Sequence, residues 1–283
     1  MRRPTADWVV FTDLDGTLLD HTSYKWDAAR EALEALRDAR VPLVIVTSKT
    51  RAEAMPFLRR LRRREPFVVE NGGAIYFPAG YFPPNITGAL PAGRGWLRVA
   101  LGTSRPRLLR ALARAAKRAG VRVRGFAQMR EREVRDLAGL PLPRARRARQ
   151  REFDEPFVIL EGGERATSKL KHAIHREGLQ LTRGSRFLHI LGDNDKGAAV
   201  QKLISWFRRA RGGAVRTVGL GDSPNDIPML RAVHVPIVVA RPGGRYEQAT
   251  LSAVAGVRRA GGVGPAGWNR AVLHLLRPSR YSI

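Results

Sequence analysis

The chain has 283 residues, of which 43% are hydrophobic, and its formal net charge at pH 7 is +26. This length exceeds that of a typical single domain and predicts two domains, or one domain that carries a large insertion. The chain contains no cysteine, which excludes disulfides, thiolate chemistry and cysteine-ligated zinc, so any metal would take oxygen or imidazole ligands.

Apolar strands alternate with helical patterns over the first 70 residues. Strands are predicted at 9–15, 41–48 and 67–70, and helices at 27–40 and 51–64. This alternation indicates a parallel sheet with helices on both faces, in which ligands gather at the carboxyl ends of the strands. The residues that follow these strands are mostly polar and include Asp13, Asp15, Thr47, Ser48, Asn71 and Gly72.

The first strand ends in the sequence DLDGT at residues 13–17. Residues two apart in a strand face the same way, so the carboxylates of Asp13 and Asp15 point into one space if the strand persists that far. Gly16 then permits the backbone to turn sharply. Two such carboxylates repel each other and raise one pKa unless a cation lies between them. Mg²⁺ is the candidate cation, because it prefers oxygen ligands and bridges carboxylates to phosphate.

A segment dense in proline and glycine at 78–95 interrupts the alternation. Helices at 105–119 and 165–177 and a hairpin-like stretch at 179–192 then indicate an α+β insertion of about a hundred residues. The predicted divisions are a discontinuous core of residues 1–84 and 192–283, an α+β cap of residues 85–191, and within the cap an arginine-rich stretch, 144–151, read as an exposed loop or helix end.

The alternation of strands and helices resumes after the insertion. A helix is predicted at 195–210, a strand at 215–223 and a helix at 225–233. Asp222 and Asp226 lie in the turn GDSPND between this last strand and helix. Their spacing of four residues predicts that both reach the same edge of the sheet as Asp13, where they supply further oxygen ligands for a cation.

Four elements in this order resemble the haloacid dehalogenase (HAD) superfamily of aspartate-nucleophile phosphotransferases. They are DLDGT at 13–17, an apolar strand that ends in Thr47, Lys196, and GDSPND at 221–226. The resemblance implies an α/β fold, in which a Rossmann-like core with a parallel sheet carries an inserted α+β cap. It also implies that Asp13 attacks phosphorus and that Asp15 is the general acid and base.

The same resemblance implies further roles in the core. Thr47 and Lys196 would bind the phosphoryl oxygens, so the catalytic set is Asp13, Asp15, Thr47 and Lys196. The carboxylates of Asp13 and Asp222 and the main-chain carbonyl of Asp15 would hold Mg²⁺, with Asp226 acting directly or through water.

Several stretches resemble one family in particular, the mannosyl-3-phosphoglycerate phosphatases with a type-IIB cap. These stretches include VTSKTRAE at 46–53, ENGGAIYFP at 70–78 and REFDEPF at 151–157. The resemblance implies a phosphatase that releases mannosylglycerate from mannosyl-3-phosphoglycerate, with the product serving as a compatible solute. The substrate contacts that it implies are Ser48, Lys49, Arg51, Asn71, Gly72 and Glu155, of which Lys49 and Arg51 would meet the glycerate carboxylate and Glu155 the sugar hydroxyls.

Alternatives remain open within the same chemistry. They are glucosyl-3-phosphoglycerate, another sugar phosphate such as sucrose or trehalose phosphate, and transfer of phosphate between positions of a hexose by a phosphohexomutase. The sequence indicates no oligomeric state.

A rival from another class is a basic nucleic-acid-binding protein. The basic residues are spread along the whole chain, and the run 141–151 contains no aromatic residue, which argues against a nucleic-acid partner. The chain shows neither an apolar run of membrane-spanning length nor a signal-peptide pattern, so we expect no membrane association and a cytoplasmic location.

Overall fold

The structure is a computed structural model that describes residues 7–183 and 187–276. Its strands within these ranges are β1 Trp8–Thr12, β2 Leu43–Val46, β3 Phe67–Val69, β4 Ala74–Pro78, β5 Ala89–Pro91, β6 Trp96–Ala100, β7 Val123–Gly125, β8 Asp154–Ile159, β9 Gln180–Arg183, β10 Leu188–Leu191, β11 Arg216–Gly221, β12 Val235–Ala240 and β13 Arg258–Val263. Its α-helices there are α1 Arg30–Asp38, α2 Arg51–Arg60, α3 Arg105–Ala119, α4 Glu131–Ala138, α5 Leu142–Ala148, α6 Gly163–Arg176, α7 Lys196–Arg211, α8 Ile227–Arg231, α9 Gln248–Ala253 and α10 Gly264–Leu276.

The larger sheet has the strand order β13-β12-β11-β1-β2-β3-β4-β6-β5. The strands from β13 to β3 are parallel, and β4, β6 and β5 add an antiparallel edge. Alternate residues of β1 face opposite sides of the sheet. Val10 packs in one cluster with α1, α2 and α10, whereas Val9 and Phe11 pack in another with α7 and α8. The predicted α/β fold with a Rossmann-like parallel sheet is therefore confirmed.

The smaller sheet is antiparallel, with the order β7-β8-β10-β9. Helices α3 and α6 share one apolar cluster with this sheet, which includes Phe157 and Ile190. Helices α4 and α5 supply a second cluster around Phe126. We call this sheet and its four helices the cap. The turn of the predicted hairpin, residues 184–186, and the chain ends at 1–6 and 277–283 lie outside the described residues.

The predicted boundary at residues 84 and 85 falls before two strands that pair in the larger sheet. β6 pairs with β4 over five residues, and β5 pairs with β6. The proline- and glycine-rich segment is thus a connection within the larger sheet, and the chain crosses to the cap only after β6. The chain leaves the smaller sheet after Leu191, at the end of β10. The division into a core and a cap domain stays a prediction, with its first boundary moved to about residue 102.

The arginine-rich stretch 144–151, predicted as an exposed loop or helix end, comprises the C-terminal part of α5 and the three residues that follow it. Ala145 and Ala148 are buried in the cluster around Phe126. Arg146 is exposed and Arg144 and Arg147 are half-buried, so the charge is compatible with a packed helix. No helix among residues 7–183 and 187–276 is long and apolar enough to cross a membrane.

Candidate active site

The first two aspartates stand at the carboxyl end of β1, in the middle of the larger sheet. The backbone N–H of Asp13 donates to the carbonyl of Leu220 at the end of β11, which continues the strand pairing to this point. The chain then turns at Gly16, whose φ is +78°. A Cβ at Gly16 would lie 2.8 Å from Oδ2 of Asp222, so this glycine allows the two acidic turns to approach each other.

Lys196 joins the nucleophile candidate to the second acidic turn. Its Nζ lies 2.7 Å from Oδ1 of Asp13 and 2.6 Å from Oδ1 of Asp226, and its side chain is fully buried. Burial opposes the charge of this ammonium, but the two carboxylates outweigh that effect and raise the pKa of Lys196. The lysine is therefore a fixed, buried positive charge between Asp13 and Asp226.

Three carboxylates are more than this one ammonium can neutralise. Burial raises the pKa of Asp13 well above its usual range, and the neighbouring carboxylates add to the effect while Lys196 opposes it. Burial and Asp226 likewise raise the pKa of Asp222 to about 6. Asp226 is held in place because its Oδ2 accepts the backbone N–H groups of Asp222 and Ser223, each at 3.0 Å.

This acidic cluster fits a divalent cation. One oxygen each from Asp13, Asp222 and Asp226 lie within 4.8 Å of one another, and all three residues are buried. Oxygen ligands with an excess of negative charge are what Mg²⁺ prefers. The carboxylate of Asp15 does not belong to this group; one of its oxygens, Oδ1, is buried without a hydrogen-bond partner among the described residues.

The second predicted strand end supplies Thr47, which is buried. Its hydroxyl oxygen accepts the backbone N–H of Lys49 at 3.2 Å, and its own O–H donates to no described residue. The carbonyl of Ser48 accepts a hydrogen bond from Arg151 of the cap at 3.2 Å. The predicted Thr47-Ser48 pair thus lies at the carboxyl edge, and the main chain of Ser48 also contacts the cap.

Lys49 pairs with the general acid candidate. Its Nζ lies 2.7 Å from Oδ2 of Asp15 and 5.3 Å from the centre of the Tyr24 ring. The guanidinium of Arg144, from helix α5 of the cap, lies over the same ring at 4.4 Å. Burial opposes the charge of Lys49, but Asp15 and Glu53 outweigh it and raise the pKa of this lysine. Two cations, Lys49 of the core and Arg144 of the cap, therefore lie over one aromatic ring, and Lys49 also pairs with Asp15.

Asn71 and Gly72 form a tight turn after β3, where Asn71 has a φ of +54°. The Oδ1 of Asn71 accepts a hydrogen bond from Asn225 of the GDSPND turn at 3.2 Å. A Cβ at Gly72 would lie only 2.0 Å from the carbonyl oxygen of Asp195. Gly72 therefore lets the segment that carries Lys196 pass close to this turn.

Two predicted substrate contacts point elsewhere. Arg51 donates to the carbonyl of Ala92 at 2.6 Å and lies over the Tyr76 ring, which directs it away from Asp15. Glu155 is fully buried inside the cap, where its oxygens accept from Ala127 N–H and from Arg105 Nε, each at 2.7 Å. Both oxygens are therefore occupied by the cap itself, and the prediction that Glu155 meets the sugar is corrected to a structural role.

Sequence reasoning did not single out three residues at the site. Tyr24 and Arg144 form a cation–π contact between core and cap. Arg241, just after β12, places its Nε 3.4 Å from Oδ2 of Asp222. The position of Arg241 after a parallel strand was a usable signal, whereas the contact between Arg144 and Tyr24 spans 120 residues and leaves no local pattern.

Comparisons with known proteins agree with this geometry. Residues 10–82 match the haloacid dehalogenase-like hydrolase family. A glucosyl-3-phosphoglycerate/mannosyl-3-phosphoglycerate phosphatase of Methanococcoides burtonii is 41% identical over 268 residues, which cover 95% of this chain and 97% of that protein. A protein of Persephonella marina with the same name is 38% identical, with 95% and 97% covered. A mannosyl-3-phosphoglycerate phosphatase of Pyrococcus horikoshii is 29% identical, with 82% and 90% covered.

Solved structures share the fold over nearly the whole chain. A HAD superfamily phosphatase from Bacteroides thetaiotaomicron superposes with a TM-score of 0.66 at 17% identity, covering 98% of this chain and 97% of that one. A HAD subclass IIB sugar phosphatase superposes with a TM-score of 0.62, also at 17% identity, covering 94% and 98%. At this identity the likeness establishes the fold alone and nothing about substrates.

Proposed function

This chain belongs to the mannosyl-3-phosphoglycerate phosphatase family of the HAD superfamily, which makes it a phosphoric monoester hydrolase, and we propose that it dephosphorylates mannosyl-3-phosphoglycerate and glucosyl-3-phosphoglycerate. The observation that carries this proposal is the 41% identity, over 95% of the chain, to a relative named for both substrates. The chemistry is supported by four side chains at the same edge of the sheet: Asp13, Asp15, Lys196 and Asp222.

In the first half of the reaction, a carboxylate oxygen of Asp13 attacks phosphorus and the ester P–O bond breaks. Asp15 gives its proton to the departing glycerate oxygen. In the second half, Asp15 takes a proton from water, whose oxygen attacks phosphorus and breaks the bond to Asp13, which releases inorganic phosphate. The unpartnered Oδ1 of Asp15 supports this role, because no described hydrogen bond has to break before it acts.

Lys196 and Thr47 stabilise the transferring group. The ammonium of Lys196 lies 2.7 Å from Asp13 and faces the charge that moves from Asp13 to the phosphoryl oxygens. The hydroxyl of Thr47 has a free proton to donate to one of these oxygens. Mg²⁺ held by Asp13, Asp222 and Asp226 and by the carbonyl of Asp15 would screen the carboxylate of Asp13 from a phosphate of like charge.

Lys49 and Arg144 are the proposed cations for the glycerate carboxylate. Both lie over the Tyr24 ring, and Lys49 pairs with Asp15, which must face the leaving group of the first half-reaction. Arg144 takes the place that the sequence suggested for Arg51, and its planar guanidinium suits a carboxylate. Since Arg144 belongs to the cap, its contact with the substrate also closes the cap over the core.

Phosphate release tests this proposal directly. The purified protein is assayed with mannosyl- and glucosyl-3-phosphoglycerate, and with sucrose and trehalose phosphates, in the presence of Mg²⁺ and with EDTA. We expect Mg²⁺-dependent release from both glycosyl-phosphoglycerates, and a loss of at least ~10³-fold in Asp13→Asn. Phosphate release from sucrose or trehalose phosphate alone would contradict the proposed substrates but would still support a phosphatase mechanism. A hexose phosphate isomer formed without free phosphate would indicate a mutase.

A further inference from the structure

A cavity of about 930 Å³ is lined by one face of α2, including Arg51, Met55 and Arg59. It lies between α2, the loop before β6 and residues 150–152 of the cap, and none of Asp13, Thr47 or Lys196 lines it. Seven of its 13 lining residues are arginine, whereas lysine and arginine together make up 51 of the 283 residues of the chain. The cavity is therefore far more basic than the chain as a whole.

Part of this basic lining is buried and fixed. The side chain of Arg151 is 8% exposed, pairs with Asp154, and leaves its Nε buried without a partner among the described residues. Arg63 is 5% exposed and is held by Glu65 and by the carbonyl of Leu33. Trp96 is also buried and adds an apolar wall. A preformed wall of this kind distinguishes the cavity from an ordinary exposed basic surface.

The rim carries guanidinium groups that pair with none of the described carboxylates. Arg59, Arg62, Arg64 and Arg94 are exposed, and their guanidinium groups have no hydrogen bond or ion pair with any described residue. The acid that lines the cavity, Glu152, is already engaged by Arg98 and by the hydroxyl of Tyr76. Positive charges without ion-pair partners around one concave space attract anions.

We propose that this cavity binds a small anion that carries a chain of two or more phosphate groups. Guanidinium forks match phosphate oxygens in pairs. The cavity offers four unpaired guanidinium groups in addition to Arg151. These groups provide more hydrogen-bond donors than the oxygens of a single phosphate can accept. The volume lies in the range of sites for small organic ligands, so it accommodates a phosphate chain with or without an attached organic group.

This cavity is separate from the proposed phosphatase active site, but two of its lining residues lie close to that site. Arg151 donates to the carbonyl of Ser48, and Arg51 at the start of α2 lines the cavity. The proposal does not depend on the identity of the phosphatase substrate. An anion in the cavity would contact the helix that follows Thr47 without entering the catalytic site.

Calorimetry with the whole protein at 0.15 M KCl and in EDTA tests the proposal, with ATP, tripolyphosphate and inorganic phosphate as probes. We expect saturable binding of ATP and tripolyphosphate at one site per chain, and binding of inorganic phosphate at least 10-fold weaker. The double variant Arg59→Ala/Arg94→Ala should weaken binding at least 10-fold. The matched control Arg107→Ala/Arg110→Ala removes the same charge from exposed positions on α3 and should change it less than 2-fold.

The ATP and tripolyphosphate arms separate recognition of the phosphate chain from recognition of an attached group. Equal weakening by both double variants would overturn the proposal, because a diffuse field would then account for binding. Equal affinity for inorganic phosphate, or no saturable binding, would also overturn it. Arginine modification by phenylglyoxal, mapped by mass spectrometry, gives a readout without variants. ATP should protect Arg59 and Arg94 and leave Arg107 reactive, and lack of protection would contradict the site.

Discussion

The Nζ of Lys196 lies 2.7 Å from Oδ1 of Asp13, and the lysine side chain is fully buried. This pair joins the start of α7 to the end of β1, 183 residues apart. Because Lys196 also bonds to Asp226, it is the buried cation that holds two acidic turns together. Activity and stability therefore both depend on it.

Lys196→Met should abolish most activity and destabilise the fold. Removing one partner of a buried charge pair leaves carboxylates uncompensated, at a cost of about 3 kcal/mol in the free energy of unfolding. The loss of a cation that faces the transferring phosphoryl group should lower kcat by at least ~10²-fold. Urea unfolding and steady-state kinetics measure the two effects. Lys169→Met, at an exposed position on α6, is the control. Full activity in Lys196→Met would contradict the role of Lys196.

Stabilisation by Mg²⁺ should grow with pH. Burial raises the pKa of Asp222 from 3.8 to about 6, so without metal the native state holds a proton that the unfolded chain has released between those values. The free energy of unfolding therefore falls as pH rises through this window. Mg²⁺ must displace that proton. We expect the Mg²⁺-induced rise in Tm to be larger at pH 7.5 than at pH 5 and to vanish in Asp222→Asn. Equal shifts at both pH values would contradict the metal assignment.

Glu70 should make the free energy of unfolding depend on pH. Its carboxylate is fully buried and accepts the backbone N–H groups of Glu152 and Phe153, which lie in the cap segment before β8. Burial raises the pKa of Glu70 from 4.5 to about 7. The native state then binds a proton that the unfolded chain lacks, and the free energy of unfolding falls as pH rises from 4.5 to 7.

The pH dependence should disappear in Glu70→Gln, which cannot titrate. Relative to the wild type, its free energy of unfolding between pH 4.5 and 7 should be flatter by on the order of 3 kcal/mol. Denaturant titrations in saturating Mg²⁺ keep the acidic cluster from contributing. The control Glu164→Gln changes an exposed carboxylate of α6 and should reproduce the wild-type slope. A wild-type slope in Glu70→Gln would exclude Glu70 as the titrating group.

Arg144 should contribute to substrate binding more than to the chemical step. Its guanidinium lies on Tyr24 with Lys49, and a charged hydrogen bond to the glycerate carboxylate is worth about 1.5–3 kcal/mol. Arg144→Gln should therefore raise KM for mannosyl-3-phosphoglycerate at least ~10-fold with kcat within about 2-fold. Arg146→Gln removes the same charge from an exposed position on the same helix and should leave both constants unchanged. A fall in kcat alone would contradict this role.

The parallel part of the core could be predicted from the sequence because its strands are continuous apolar runs that end in polar residues. The same logic located Asp13, Thr47 and Asp222 at one edge of the sheet. The place of β6 could not be predicted in this way, because pairing with β4 is decided by contacts that leave no local pattern. Helix α5 was not predicted because arginines dominate its sequence, although two buried alanines pack it against the cluster around Phe126.

Side-chain direction was the other limit. The positions of Lys49 and Arg51 two residues apart suggested a shared ligand, but Lys49 pairs with Asp15 whereas Arg51 turns to Ala92. The acidic character of Glu155 suggested a sugar contact, but Arg105 and Ala127 occupy both of its oxygens. These partners come from distant segments, and only the assembled fold shows which one each side chain meets.

Transfer of phosphate to Asp13 distinguishes a covalent aspartyl-phosphate mechanism from direct attack of water on the substrate. The protein is mixed with mannosyl-3-phosphoglycerate labelled with ³²P, quenched in acid within a single turnover, and digested after reduction with borohydride. We predict transient label on the protein and homoserine at position 13, with neither in Asp13→Asn. Rapid release of labelled phosphate with no label on the protein at any time, or label that persists in Asp13→Asn, would contradict the account.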